Sequence, residues 1–92
     1  MKLLKKSLGQ NFLIDKNVIK KILSLVEIQN KNIIEIGPGE GALTFEILKK
    51  KPKTLILIEK DHNLAKLLEE KILNKETVKI FNSDILKFDL ET

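Results

Sequence analysis

The sequence predicts an α/β domain on a parallel sheet, and three observations carry that prediction. Three short apolar segments read as strands, they alternate with segments of helical apolar spacing, and a glycine-rich break follows the first of them. The succession is a helix and then β-α-β-α-β. It corresponds to one mononucleotide-binding half of a doubly wound fold, with right-handed crossovers and an expected strand order of third-second-first.

The elements follow from local pattern. Residues 1–14 read as a basic, irregular arm holding Lys2, Lys5 and Lys6 and then Ser7-Leu8-Gly9-Gln10-Asn11-Phe12. Asp15 is placed to cap a first helix, because its carboxylate can accept orphan amides two or three residues on. Val18, Ile19, Ile22, Leu23 and Val26 recur at helical spacing, giving one apolar stripe on a helix predicted to end near Gln29-Asn30. Asn32–Ile36 is short and isoleucine-rich, suiting a buried strand, and Gly37-Pro38-Gly39-Glu40-Gly41 breaks it. Leu43, Ile47 and Leu48 share one face of a second helix that stops at Lys51-Pro52. Residues 54–58 (TLILI) are apolar without alternation, as in a parallel strand covered on both faces. Leu64, Leu67, Leu68 and Ile72 form a third amphipathic helix, residues 77–81 a third strand, and Asp84 opens a loop. In a complete sheet a fourth strand would lie beside the first; no further predicted strand supplies it.

Composition bounds the class. With 92 residues the chain is at most one domain, and 42% hydrophobic with 33% charged residues is globular in character. No apolar run approaches the roughly 18 residues of a membrane span, and the start lacks a signal-peptide pattern, so a cytoplasmic protein is expected. The absence of cysteine excludes disulfides and thiolate metal sites. All 17 basic residues are lysine and the net charge is +4. Lysine offers point charges to an anionic polymer without the bidentate fork of arginine.

The chemistry gathers at the predicted carboxyl ends of the strands. At the Glu35-Ile36-Gly37-Pro38-Gly39-Glu40-Gly41-Ala42 junction, glycines permit a tight turn and let a ligand approach the backbone. Gly37, Gly39 and Ala42 fit the dinucleotide pattern, whereas Gly37, Gly39 and Gly41 fit a methyltransferase-like G-x-G-x-G, so the turn alone leaves both open. Glu59 closes the second strand, where a carboxylate can accept hydrogen bonds from both ribose hydroxyls of a nucleoside over the glycines. Asp84 follows the third strand and can meet an adenine amine, with Ile85 near the ring. Other residues read as structural. His62 is a surface residue without metal or triad partners, Phe45, Phe81 and Phe88 belong to the core, and Lys49-Lys50-Lys51 complements a helix C-terminus.

Lys5-Lys6-Ser7-Leu8-Gly9-Gln10-Asn11-Phe12-Leu13-Ile14-Asp15, the stretch EIGPGEGALT at residues 35–44, Ile58-Glu59-Lys60-Asp61 and Asp84-Ile85 stand in one order and spacing. Together they resemble the rRNA adenine dimethyltransferase family, over essentially the whole chain. The resemblance implies a Rossmann-like methyltransferase fold, S-adenosylmethionine as cofactor, and small-subunit (16S) rRNA or the immature small ribosomal subunit as partner. It further implies that Asn11 and Leu13 border the methionine and sulfonium side of the cofactor. Gly37 would lie under it, Glu59 would hold the ribose hydroxyls, Asp84 would meet the adenine amine, and the basic arm would lie near RNA. The reaction implied is in-line transfer of the sulfonium methyl to the exocyclic amine of two adjacent adenines, twice per base, with each adenine turned out of its stack.

The family's target-base motif, N-[LP]-P-[YF] at the end of a fourth strand, has no counterpart before Thr92, and neither does its helical carboxyl-terminal domain. The expectation is therefore an amino-terminal part with a cofactor site but no catalytic residue, no metal and no activity alone. The macrolide-resistance type of large-subunit rRNA methyltransferase shares Gln10-Asn11-Phe12 and the acidic strand end. Leu8-Gly9 and residues 41–44 favour the small-subunit type. A transcription-factor relative would be a binding protein, a degenerate module would only mediate interactions, and an NAD-binding half-domain would leave Gly9-Gln10-Asn11-Phe12-Leu13 without a role.

Overall fold

Apolar segments too short for helices but rich in isoleucine and leucine form the centre of the molecule. The computed structural model describes residues 2–5 and 16–87, with side chains from Asn17 to Lys87. In chain order these are β1 (Lys2–Lys5), α1 (Lys16–Ser24), β2 (Asn32–Ile36), α2 (Ala42–Lys49), β3 (Thr54–Glu59), α3 (His62–Lys71) and β4 (Val78–Asn82), followed by a 3-10 turn at Ile85–Lys87. The four strands are parallel in the order β1-β2-β3-β4. The succession β2-α2-β3-α3-β4 and the order of those three strands agree with the sequence-based expectation.

Two expectations are corrected. Lys2–Lys5 is not irregular: it pairs with β2, from Lys2 opposite Ile33 to Lys5 opposite Ile36. It occupies the side of β2 expected to lack a strand. The pairing uses backbone N–H and C=O groups, which any residue carries, so a reading based on side-chain charge does not register it. Helix α1 stops at Ser24 and not at Gln29-Asn30. There Leu25 N–H bonds to the Ile22 carbonyl at 3.1 Å and the Ser24 hydroxyl bonds to the Lys21 carbonyl at 2.6 Å, tightening the last turn. Val26 and Ile28 still reach the core, but from a loop. Asp15, Phe88 and residues 6–14 lie outside the described residues.

Each crossover advances one strand in the same direction, so right-handed connections deliver every helix to the same face. The register bears this out. Ile33, Leu55 and Val78 lie in one row across the sheet, with Leu57 beside them. They form a single core with Ile19 and Leu23 of α1, Leu43 and Ile47 of α2, and Leu68 of α3. Ile47, Leu55, Leu57 and Leu68 have no solvent exposure.

Among the described residues, strand β3 therefore carries helices on one face, not two. On the other face Ile34 and Ile58 are buried, Ile36 and Ile56 half-buried, and Lys79 exposed. Phe81, expected in the core, pairs in register with Ile58 on that second face and is 41% exposed. Phe45 does pack against the core. Among the described residues no helix is long and apolar enough to cross a membrane.

Gly41 opens α2 with φ +94°, a left-handed conformation that L side chains rarely adopt. A Cβ there would sit 2.8 Å from Phe45 Cε2 and 3.1 Å from Leu68 Cδ2. Gly41→Ala is expected to lower stability by about 1–3 kcal/mol, read as a reduced midpoint in urea denaturation.

Candidate functional site

Parallel strands end together, and the loops leaving β2, β3 and β4 converge on the carboxyl edge of the sheet. The first loop is the glycine turn, with Gly37 at φ 68° and Gly39 at φ 59°. Gly37 N–H bonds to the Ile58 carbonyl at 2.9 Å, which carries the β2–β3 pairing one residue past the strand. Gly41 N–H bonds to the Pro38 carbonyl at 3.0 Å, closing the turn onto α2.

The second loop begins at Glu59, which is 6% exposed. Its Oε1 accepts the Gly39 N–H at 2.8 Å and its Oε2 accepts the Asp61 N–H at 2.8 Å. One carboxylate thus ties the glycine turn to the start of α3. Hydrogen bonds to a charged group are worth about 1.5–3 kcal/mol each and offset part of the cost of burying the charge. A carboxylate has about four acceptor sites, so two amides leave capacity for further donors. Asp61 caps α3, its Oδ1 accepting the N–H groups of Asn63 at 2.8 Å and Leu64 at 3.0 Å.

The third loop supplies Asn82 and Asp84. Asn82 Nδ2 donates to the carbonyls of Glu59 and Lys60, both at 3.0 Å, and its Oδ1 lies 3.1 Å from His62 Nδ1. Reading the sequence assigned Asn82 no role. The available signal was an amide, donor and acceptor in one group, at a strand end two residues before Asp84. His62 is exposed, as expected, but engages this amide. Asp84 Oδ1 accepts the Leu86 N–H at 3.0 Å, and its Oδ2 lies 3.9 Å from Lys60 Nζ. With Lys60 81% exposed, that ion pair adds little stability.

Among the residues singled out from sequence, Gly37, Glu59 and Asp84 come together as lining of one cleft of about 580 Å³, with Gly39, Asp61 and Ile85. Ile36, Ile58 and Leu64 supply its apolar surface. Asn11 and Leu13 lie outside the described residues. The cleft combines apolar surface, close backbone approach at the glycines and three carboxylates. Lys60 also lines it.

The carboxyl edge of a parallel α/β sheet, where this cleft lies, is where open sheets of this class bind their ligands. The family model described as ribosomal RNA adenine dimethylase matches residues 1–92, and the chain belongs to that family. It is 58% identical over 88 residues to a ribosomal RNA small subunit methyltransferase A from Pelagibacter ubique, covering 96% of this chain and 33% of that protein. It is 47% identical over 89 residues to the protein of that name from Streptococcus thermophilus, covering 96% of this chain and 30% of the relative. The chain thus spans about a third of the length of these curated relatives. Among solved structures, the 23S rRNA methyltransferase ErmE superposes with a TM-score of 0.70 at 32% identity, covering 82% of this chain and 31% of that one. A putative RNA methyltransferase from Pyrococcus horikoshii superposes with a TM-score of 0.69 at 25% identity, covering 91% and 40% of the two chains.

Asn82→Ala removes both restraints on the Glu59 and Lys60 carbonyls and frees the turn that aims the Glu59 carboxylate. The amides of Gly39 and Asp61 are expected to exchange with solvent about tenfold faster, as local opening becomes easier by about 1.4 kcal/mol. Native-state hydrogen exchange followed by NMR reads this directly.

Proposed function

We propose that this chain provides the S-adenosylmethionine-binding part of an rRNA adenine dimethyltransferase acting on small-subunit rRNA. The observation that carries the reading is the buried Glu59 carboxylate, fixed by two backbone amides over a glycine turn in an acidic, partly apolar cleft. A carboxylate at the Glu59 position suits the ribose of either cofactor class, so the choice of S-adenosylmethionine over a dinucleotide rests on the family match. S-adenosylmethionine carries no phosphate, and its sulfonium and ammonium groups suit a carboxylate-lined cleft. Similarity at 58% and 47% to small-subunit enzymes, against 32% to a 23S enzyme, supports small-subunit rRNA as the substrate.

When bound, S-adenosylmethionine supplies an electrophilic methyl group for the exocyclic amine of adenine. The chain's part in that reaction is positioning. Glu59 would accept the ribose hydroxyls with its remaining lone pairs, Gly37 would let the cofactor lie against the backbone, and Asp84 would accept from the adenine amine. By the family resemblance Asn11 and Leu13 would border the methionine side. Holding the cofactor in one orientation lowers the entropic part of the barrier, and apolar Ile36, Ile58 and Ile85 keep water from the adenosine.

S-adenosylhomocysteine is expected to bind in a calorimetric titration and to resist displacement by NADH; displacement by NADH at similar concentration would favour a dinucleotide site. Glu59→Ala is expected to weaken this binding by about 1–3 kcal/mol, and unchanged affinity would remove Glu59 from the site. Asp84→Ala is expected to erase a preference of about tenfold for S-adenosylhomocysteine over its inosine analogue, which lacks the amine.

A further inference from the structure

The opposite, amino edge of the sheet carries a second cleft, of about 720 Å³, lined by Asn30, Lys31, Lys49, Lys50 and Lys51 among others. Two loops build it, the one entering β2 and the one entering β3. They are locked together by the backbone: Asn30 N–H bonds to the Lys51 carbonyl at 2.9 Å, and Lys53 N–H to the Lys31 carbonyl at 2.8 Å. Asn30 at φ 58° and Lys51 at φ 57° are the non-glycine residues with left-handed backbone among those described. For lysine that conformation costs on the order of 1 kcal/mol, and the Lys51 backbone is tied by its carbonyl to Asn30 N–H and by its own N–H to the Leu48 carbonyl.

The charge on these loops is one-sided. Lys49 is paired with Glu46 at 2.8 Å, and Lys31 lies 4.0 Å from Glu27. Lys50, Lys51 and Lys53 are exposed and form no ion pair among the described residues. On α3 and in the loop after it, by contrast, the exposed lysines Lys66, Lys71 and Lys75 are interspersed with Glu69, Glu70 and Glu76. The run Lys49-Lys50-Lys51-Pro52-Lys53 therefore does more than complement the C-terminal dipole of α2, because a dipole involves only the last helical turn and Lys51 and Lys53 lie beyond it.

We propose that Lys50, Lys51 and Lys53 form a docking surface for the phosphate backbone of RNA, separate from the cofactor cleft. The choice of RNA rests on the function proposed above. The strands between the two edges are five or six residues long, which separates this surface from the cofactor cleft by roughly 20 Å. A target adenine would enter at the carboxyl edge while flanking RNA is held at the amino edge. Lysine suits such a contact, since a point charge on a flexible stem follows phosphates without demanding a base sequence.

The test compares the chain with the triple variant Lys50→Gln/Lys51→Gln/Lys53→Gln and with a control, Lys20→Gln/Lys66→Gln/Lys71→Gln, that removes equal charge elsewhere. Anisotropy of a fluorescein-labelled RNA hairpin is followed from 50 to 200 mM KCl, beside calorimetric titration with S-adenosylhomocysteine. The loop variant is expected to lose about tenfold or more in RNA affinity at 100 mM salt. The slope of log K against log[salt] should become shallower by about 2, since each phosphate contact contributes roughly 0.7–0.9. The control should shift less than half as far, and S-adenosylhomocysteine affinity should be unchanged in the loop variant. Equal losses in the two triples would overturn the proposal in favour of net charge alone. An unchanged slope in the loop variant, or no hairpin binding by the parent chain at 50 mM salt, overturns it as well. Failure of the parent to bind S-adenosylhomocysteine would instead remove the cofactor reading, a result the RNA titration does not depend on.

Discussion

The Glu59 carboxylate is the point at which the loops of the cleft become one structure. Each of its oxygens accepts a backbone amide, one from the glycine turn after β2 and one from the first residue before α3. Without it the two loops would share only the strand pairing beneath them. Its burial is tolerable because the charge is solvated by amides in place of water. The same requirement explains Gly39, whose N–H must face the carboxylate while its backbone stays in a left-handed conformation. Asn82 completes the arrangement from the neighbouring strand by holding the carbonyls of Glu59 and Lys60. The carboxylate, the glycine and the amide form one device for keeping an acceptor in place before any ligand arrives.

The sheet gives the molecule two chemically different edges. At the carboxyl edge the strand ends present Glu59, Asp61 and Asp84 around a partly apolar cleft. At the amino edge the loops entering β2 and β3 present lysines. Parallel pairing produces the separation, because every strand begins on one side and ends on the other. An antiparallel sheet of the same residues would intermix the two sets. The one-directional strand order adds a second asymmetry, gathering the helices and the core on one face.

Much of this was legible without coordinates. Asn32–Ile36, the glycine turn, α2, β3 and α3 follow from apolar spacing and from breakers that act within a few residues, and the structure has them within one or two positions. The gathering of Gly37, Glu59 and Asp84 on one edge was also legible, since parallel strands joined by helices have a single carboxyl edge. The family motifs were read from the same short-range strings.

What the sequence by itself determined, then, was the identity and order of the helices and of strands β2 to β4, together with the residue types delivered to each loop. Tertiary structure decided the rest. Lys2–Lys5 became a strand through pairing with β2, an interaction of backbone groups that no side-chain pattern records. Phe81 became surface because register placed it on the face opposite the described helices. Glu59 found the Gly39 amide, and Asn82 two carbonyls, across separations of twenty residues or more. Local propensity reflects forces between chain neighbours, whereas register, facing and hydrogen-bond partners are settled between segments that meet only after the sheet has assembled.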